Sequence, residues 1–476
     1  MEDSNGPLSN VWGMSKKTYR PYEPKQLLLL PPSLDEWLPK NHVVYFLSDV
    51  VDQLDLSKIE QSYGKELRGQ PPYHPAMMVK VLLYAYCVGL YSSRKIERAL
   101  QENVAFRVLA ANNQPDFRTI SDFRKRHLEA LGDLFEQVLR VCQEAGLVKL
   151  GHVALDGTKI KANASRHKAM SYQRMQEEEK RLKAEIQELL KRAEKADADE
   201  DRKYGADRRG DELPEELRRR EARLEKIREA MAALEKEARR RAGMEKSPDQ
   251  EAAEPAAAKS DDDPEPEPDG SGSGPGRKRG KGVPKPKAQR NFTDPDSRIM
   301  KGSEKQFLQG YNAQIAVDSD SQIIVAADVT NQAADAPHLI AMISQVATNT
   351  GRRPEEVSAD AGYYSDANVS WLLEHKVNPY IPPDKLHHRE RRQLKPPRGP
   401  RPRTLREKMR RKLQMKRHFK RYQKREQSVE PVFGQIKAVR GFRQFHLRGL
   451  EKVRGEWLLA CLAHNLLKLY GAKKAA

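Results

Sequence analysis

Cysteine is nearly missing from this chain: among 476 residues there are three, Cys87, Cys142 and Cys461, and no two form a C-x-x-C pair. That excludes a disulfide framework and a cysteine-built zinc site, and it fits a reducing, intracellular setting. Cys87 and Cys142 lie in apolar helical stretches and read as core residues. Long apolar runs are also missing, with none near the roughly 18 residues needed to cross a bilayer. Leu27–Leu30 is closed by Pro31 and Pro32, and it has neither the charged flank nor the length of a signal peptide. A soluble protein with no membrane partner is predicted.

Basic residues are abundant: 87 Lys and Arg face 68 Asp and Glu, a net charge of +19. Such an excess points to a polyanionic partner. It is concentrated in one place. Between Lys385 and Arg425 stand 19 basic residues and two acids, Glu390 and Glu407, so the rest of the chain is close to neutral. Leu405, Met409, Leu413, Met415, Phe419 and Tyr422 are interleaved with that run, which suits an ordered helix lying along phosphates and carrying Arg410, Arg411 and Lys412.

The length predicts several units. Residues 1–33 are Pro-rich and read as an extended arm, and 34–150 as a helical domain. In that domain Pro75 opens a helix that Gly89 stops, Ser92 and Ser93 can cap a helix over 94–103, and 119–145 reads as one long amphipathic helix. A helix, a tight turn and a capped helix bearing Arg94 and Lys95 suit either a DNA-reading unit or a plain helical bundle. At Val153 the period becomes extended, giving a strand through Ala162 in which Asp156 is the only acid. Met175, Leu182, Ile186 and Leu189, then Leu217, Leu224, Ile227, Met231 and Leu234, follow heptad spacing and predict an antiparallel coiled-coil hairpin inserted over 165–246. Composition marks 247–305 as a disordered linker. Strands resume at 311–317 and 323–329, followed by a helix, a strand over 355–361 containing Asp360, a helix, a short strand at 380–381 and a helical last third. The fold class is α+β and multidomain, with a mixed α/β domain over 151–164 and 306–470.

Asp156 and Asp360 sit on separate strands, and Glu430 lies in a helical region directly after the basic run. Phosphodiester chemistry with two metal ions needs hard oxygen ligands on separate elements of a rigid sheet, and strand-end carboxylates meet that need.

The text around these acids resembles the insertion-sequence transposases with an RNase H-like catalytic domain and a DDE triad. The matching stretches are Asp156-Gly157-Thr158-Lys159-Ile160-Lys161-Ala162-Asn163, Gly310-Tyr311-Asn312-Ala313-Gln314, Ala359-Asp360-Ala361-Gly362-Tyr363-Tyr364-Ser365 and Val429-Glu430-Pro431-Val432-Phe433-Gly434. Arg440-Gly441-Phe442, Glu456-Trp457 and His464-Asn465-Leu466-Leu467-Lys468 resemble the family's tail. Tyr73-His74-Pro75 and Ser92-Ser93-Arg94-Lys95 resemble its N-terminal helical domain.

The resemblance implies that Asp156, Asp360 and Glu430 bind two Mg2+ ions, with Mn2+ able to replace them, and that Tyr422, Arg425 and Lys437 form the signature around the glutamate. Arg425 stands one residue farther from Glu430 than the usual signature places it. Asn312, Asn331 and Gln332 are expected to line the site. The implied function is binding of element ends, cleavage and strand transfer, with double-stranded DNA (terminal inverted repeats and target) as partner. A homodimer in the active complex and a cytoplasmic, nucleoid-associated location go with it. The alternatives are a catalytically inactive, sequence-specific DNA-binding descendant and a nuclease that only cuts.

Overall fold

The computed structural model of the chain describes residues 33–63, 71–204, 215–242, 282–302, 306–384 and 402–475. Most of the expected N-terminal arm, residues 247–281 and 303–305 of the expected linker, and residues 385–401 of the basic run lie outside the described residues.

Among the described residues seven α-helices come first: α1 (Val43–Asp52), α2 (Ser57–Glu60), α3 (Pro75–Cys87), α4 (Ser93–Glu102), α5 (Val104–Leu109), α6 (Phe117–Arg126) and α7 (Leu128–Glu144). Pro75 suits the first turn of α3, where its missing N–H would have no intrahelical partner, and His74 Nδ1 accepts from Ala76 N at 3.2 Å. Gly89 ends the helix at φ +78°, and a Cβ there would fall 2.5 Å from the Arg440 carbonyl oxygen. Ser92 occupies the N-cap position of α4 but makes no capping hydrogen bond, unlike the sequence expectation. The single helix expected over 119–145 is two, broken at His127 (φ −107°, ψ 18°). The buried His127 ring there meets the Tyr63 hydroxyl at 3.2 Å. Neither Pro nor Gly marks this break, and the apolar stripe continues across it, so periodicity alone cannot reveal it.

The main sheet contains β1 (His152–Lys161), β4 (Arg298–Lys301), β5 (Phe307–Asp318), β6 (Ile324–Thr330), β7 (Glu356–Ser358) and β8 (Asn378–Tyr380), and β2 (Ala169–Ser171) pairs with β3 (Gln289–Asn291) apart from it. Strand order is β6-β5-β1-β7-β8: β5 runs antiparallel to both β6 and β1, whereas β7 and β8 run parallel to β1. β4 pairs with the first half of β5 on the same edge as β6. Gly310 lets β5 approach β1 closely, because a Cβ would lie 2.3 Å from the Ile160 carbonyl oxygen.

Helices α10 (Leu339–Thr350) and α11 (Asp366–Glu374) follow, then α12 (Leu405–Gln414), α13 (Lys416–Gly434) and α14 (Leu450–Ala475). α14 packs against α7, α3 and β6, so the N-terminal helices and the sheet share one buried core. Its polar residues are used against backbone. Asn465 both accepts from Ile324 N and donates to Ile324 O, each at 2.9 Å, and Trp457 Nε1 donates to Gln314 O at 3.1 Å. The fully buried Glu456 carboxylate accepts from the His446 and Leu447 amides.

Between β1 and β5 the chain leaves the sheet through β2, runs out along α8 (Tyr172–Tyr204), returns along α9 (Glu215–Arg241) and re-enters through β3. The two helices are antiparallel, with Tyr172, Met175, Leu182, Leu224, Ile227 and Leu234 buried between them. Charged pairs flank that seam: Glu178 with Arg223 at 2.9 Å and Glu185 with Arg220 at 3.1 Å. Part of the stretch expected as linker is built into the fold. Residues 282–302 supply β3 and β4, and the buried Asp294 accepts from the Tyr311 hydroxyl at 2.7 Å and from Gly449 N at 3.1 Å. Both strands are too short for their alternation to stand out in sequence. No described helix is long and apolar enough to cross a membrane.

Gly310→Ala should destabilise the protein by about 1–3 kcal/mol, because its methyl would strike backbone that cannot yield. Gly471→Ala, with nothing within 4 Å of the added carbon, should be neutral or stabilise by up to about 1 kcal/mol by removing glycine freedom from a helix. Thermal unfolding of the two variants tests the pair, and equal melting temperatures would contradict this packing of β5 on β1.

Candidate active site

The placement of two acids follows from strand register. β1 and β7 are parallel, and their last paired residues are Ala154 and Ser358. Asp156 and Asp360 each lie two residues further on, level with one another just past the end of the β1–β7 ladder. β7 stops at Ser358, so Asp156 stands where β1 has lost that neighbour and is bordered by β5 alone, opposite Ile315. Asp360 has left the strand expected over 355–361 and caps the following turn, accepting from Gly362 N at 2.9 Å.

Burial and proximity govern the charge of these carboxyls. Asp156 is pushed up to about 7, first by burial and further by Asp360 and Asp335, against the opposing pull of Arg425. Asp360 is also raised, chiefly by burial and then by Asp335. Arg425 Nη1 meets Asp156 Oδ2 at 2.6 Å, and both side chains are largely buried. The extra residue between Arg425 and Glu430 therefore does not keep this arginine from the site.

Asp335, which the sequence reading did not single out, is the hub of the polar network beside the pair. It accepts from Lys159 Nζ at 3.1 Å, Asn312 Nδ2 at 2.6 Å and Gln314 Nε2 at 2.9 Å. The Tyr363 hydroxyl donates to Gln314 Oε1, which ties the turn carrying Asp360 to β5. Gly157 fits against this network because it has no side chain: a Cβ would lie 2.4 Å from Gln314 Nε2 and 3.0 Å from Asp335 Oδ1. The available signal was indirect. Lys159 and Asn312 face each other across β1 and β5, and a cation beside an amide in a covered sheet needs an acid. Nothing in the sequence says that the loop before α10 supplies it. Asn312 Nδ2 also reaches Gln332 O, at 3.2 Å.

α13 packs across β1, β5 and β7. It carries Arg425 and Glu430, contains Pro431, and passes into a π-helical turn over Gln435–Val439. Lys437, in that turn, donates from Nζ to Thr158 Oγ1 at 2.9 Å. Glu430 is exposed and lies along the helix between these two anchors. Among the described residues no three His, Cys, Asp or Glu side chains are grouped closely enough to hold a metal ion. Tyr422 is buried with Phe419, Met409, Leu413 and Tyr380, fixing α12 and α13 together.

The other expected DNA contacts lie on other elements. Arg94 and Lys95 are exposed on α4, with the Arg94 guanidinium 4.9 Å from the centre of the Phe117 ring. Arg410 and Arg406 both pair with Asp384, at 2.5 and 2.7 Å. Arg411 is half-buried on α12. Lys412 turns inward, donating to Asn378 Oδ1 at 2.6 Å and Pro379 O at 2.7 Å over the Tyr380 ring, and burial pushes its ammonium down to about 8.

Residues 32–126 match a family model described as a transposase domain (DUF772), and residues 280–466 match one described as a transposase DDE domain. No curated protein and no solved structure matches the chain.

Removing the hub should leave buried donors without a partner. Asp335→Ala is expected to lower stability by about 1–3 kcal/mol, and Asp335→Asn, which keeps an acceptor oxygen, by less. Denaturant titration measures both, and an Asp335→Ala protein as stable as the parent would mean that Lys159, Asn312 and Gln314 do not depend on this residue.

Proposed function

We propose that this chain, which belongs to the insertion-sequence DDE transposases, cuts DNA at the ends of an element and joins the freed ends to target DNA. The observation that carries the reading is the level placement of Asp156, within β1 where its pairing with β7 has ended, and Asp360, just past the end of β7, beneath a helix that bears Arg425 and Glu430 and leads into the turn bearing Lys437. Strand order β6-β5-β1-β7-β8, three antiparallel strands followed by two parallel ones, is the arrangement expected of an RNase H-like domain.

The donor set suits a divalent cation. Two desolvated carboxyls repel each other and share one guanidinium, so a hard dication between them would relieve both. Asp156, Asp360 and Glu430 would hold two Mg2+ ions, with Glu430 contributed from α13. Bound there, such ions supply Lewis-acid polarisation of the scissile phosphate and stabilise charge on the attacking and leaving oxygens.

The chain's own residues do the positioning. Arg425 holds the Asp156 carboxylate in place, and the Asp335 network, through Gln314 and Tyr363, fixes the turn carrying Asp360. Lys437, held at Thr158 on the same strand as Asp156, presents a cation to a DNA phosphate beside the scissile one. In the first step a water oxygen attacks phosphorus and the 3′ oxygen leaves as a hydroxyl. In the second the oxygen of that hydroxyl attacks a target phosphodiester in line and loses its proton, while the target strand's own P–O3′ bond breaks and its 3′ oxygen leaves as a hydroxyl, so one site serves both steps.

Asp156→Asn, Asp360→Asn and Glu430→Gln keep size while removing negative charge. Each should reduce strand cleavage and joining by several orders of magnitude and leave DNA binding largely intact. Asp328, paired with Arg454 at 2.9 Å, and Asp366, which accepts from the Tyr364 hydroxyl at 2.8 Å, serve as controls; Asp328→Asn and Asp366→Asn should retain most activity. Cleavage near the parental rate by any triad variant, or a control as inactive as the triad variants, would show that the ligands are assigned wrongly. A parental protein that binds element ends but never cuts would favour the DNA-binding alternative.

A further inference from the structure

We propose that a basic cavity at the far end of β1 grips the sugar–phosphate backbone of the DNA strand leaving the Asp156 site, with Phe307 as a platform for an unpaired base. The cavity has a volume of about 700 Å3, and Lys161, Arg166, His167, Lys168 and Arg448 line it, with no Asp or Glu among the described lining residues. All five side chains are exposed. Several cations elsewhere close on acids: Arg406 and Arg410 on Asp384, and Arg220, Arg223 and Arg228 of α9 on glutamates of α8. Here the protein acceptors are backbone carbonyls. Arg166 Nη1 donates to Phe307 O at 3.2 Å and Arg448 Nε to Asn163 O at 2.9 Å, contacts that orient the guanidinium groups without neutralising them.

Phe307, at the start of β5, lines the same cavity and is 59% exposed. A ring held in water beside unneutralised cations is the pairing that binds single-stranded nucleic acid, since every base has a face to stack and every nucleotide a phosphate. The walls are firm: Phe445 N donates to Lys161 O at 2.8 Å, Ala162 N to Gln309 O at 2.9 Å and Asn163 Nδ2 to His446 O at 2.7 Å.

Position supplies the link to catalysis. Lys161 is five residues past Asp156 on one strand, about 17 Å at the rise of an extended chain. Phosphates along one DNA strand repeat every ~3.4 Å of duplex axis, so the cavity stands about five nucleotides from the scissile phosphate. Lys437 is bonded to Thr158, two residues past Asp156 on β1; alternation places Lys161 on the other face of the strand, so a DNA strand running from the site to the cavity crosses the end of β1. This proposal rests on the DNA-cutting reading, and it adds where the flanking strand runs.

The test is fluorescence anisotropy of the full chain with a labelled duplex, blunt or carrying a single-stranded extension, from 50 to 200 mM salt in EDTA. For the extended duplex, Lys161→Gln with Lys168→Gln should lower the slope of log K against log salt by roughly 1.4, at ~0.7 per single-strand contact. These two side chains are exposed, so the fold should be kept, as an unchanged melting temperature would verify. Phe307→Ala should weaken binding of the extended duplex about 5- to 150-fold and leave the blunt one unchanged. A parental salt slope in the double lysine variant, or equal weakening of both duplexes by Phe307→Ala, overturns the proposal. Cleavage by Asp360→Asn, assayed separately in Mg2+, keeps the two readings apart: if it still cuts, the catalytic assignment fails whatever the cavity variants do. If it is inert while the salt slopes stay parental, only the cavity is wrong.

Discussion

Two carboxyl groups that burial and mutual repulsion drive towards neutrality stand side by side, and the surroundings are built around that cost. Isolated buried carboxylates would simply protonate. Asp156 is kept in place by one guanidinium, that of Arg425, and Asp360 by the amide of Gly362 in its own turn. Behind them Asp335 accepts from Lys159, Asn312 and Gln314, so these buried donors have a partner, although the Asn312 Oδ1 atom is buried without one. The parallel β1–β7 pairing sets the separation of the two acids, and the early end of β7 opens the gap that Asp156 faces.

This arrangement depends on a sheet that does not shift. α14 secures it by touching β6, α7 and α3 at once, and by spending Asn465, Trp457 and Glu456 on backbone groups. The N-terminal helices are thereby buttressed on the same core that holds the catalytic candidates. The α8–α9 hairpin, by contrast, has its own seam and its own small β2–β3 neck. A long insertion between β1 and β5 is therefore compatible with an intact β1–β5 ladder, whose register runs unbroken from Val153 to Lys161.

Much of this was legible in sequence where one residue type has one physical use. Pro75 and Gly89 bounded α3, the change of period at Val153 announced β1, and heptad spacing found the residues buried between α8 and α9. Arg425 meets Asp156 and Lys437 meets Thr158 on the same strand, whereas Glu430 is exposed on α13. The rest depended on pairing that a linear text does not carry. The break at His127 leaves the apolar stripe in phase, β3 and β4 are too short to alternate visibly, and Asp335 sits in a polar loop like any other acid until β1 and β5 bring Lys159 and Asn312 to it. The basic run misled in part for the same reason. A count of charges cannot tell Lys412, enclosed over Tyr380, from a lysine facing solvent.

The central claim is that the Asp156–Asp360 pair, with Glu430, is a divalent-cation centre, and calorimetric titration of the full chain with Mn2+ tests it without reference to catalysis. The parental protein should bind the ion, and Asp156→Asn and Asp360→Asn should each weaken that binding by at least tenfold, about 1.4 kcal/mol. Parental affinity in either variant would contradict the account.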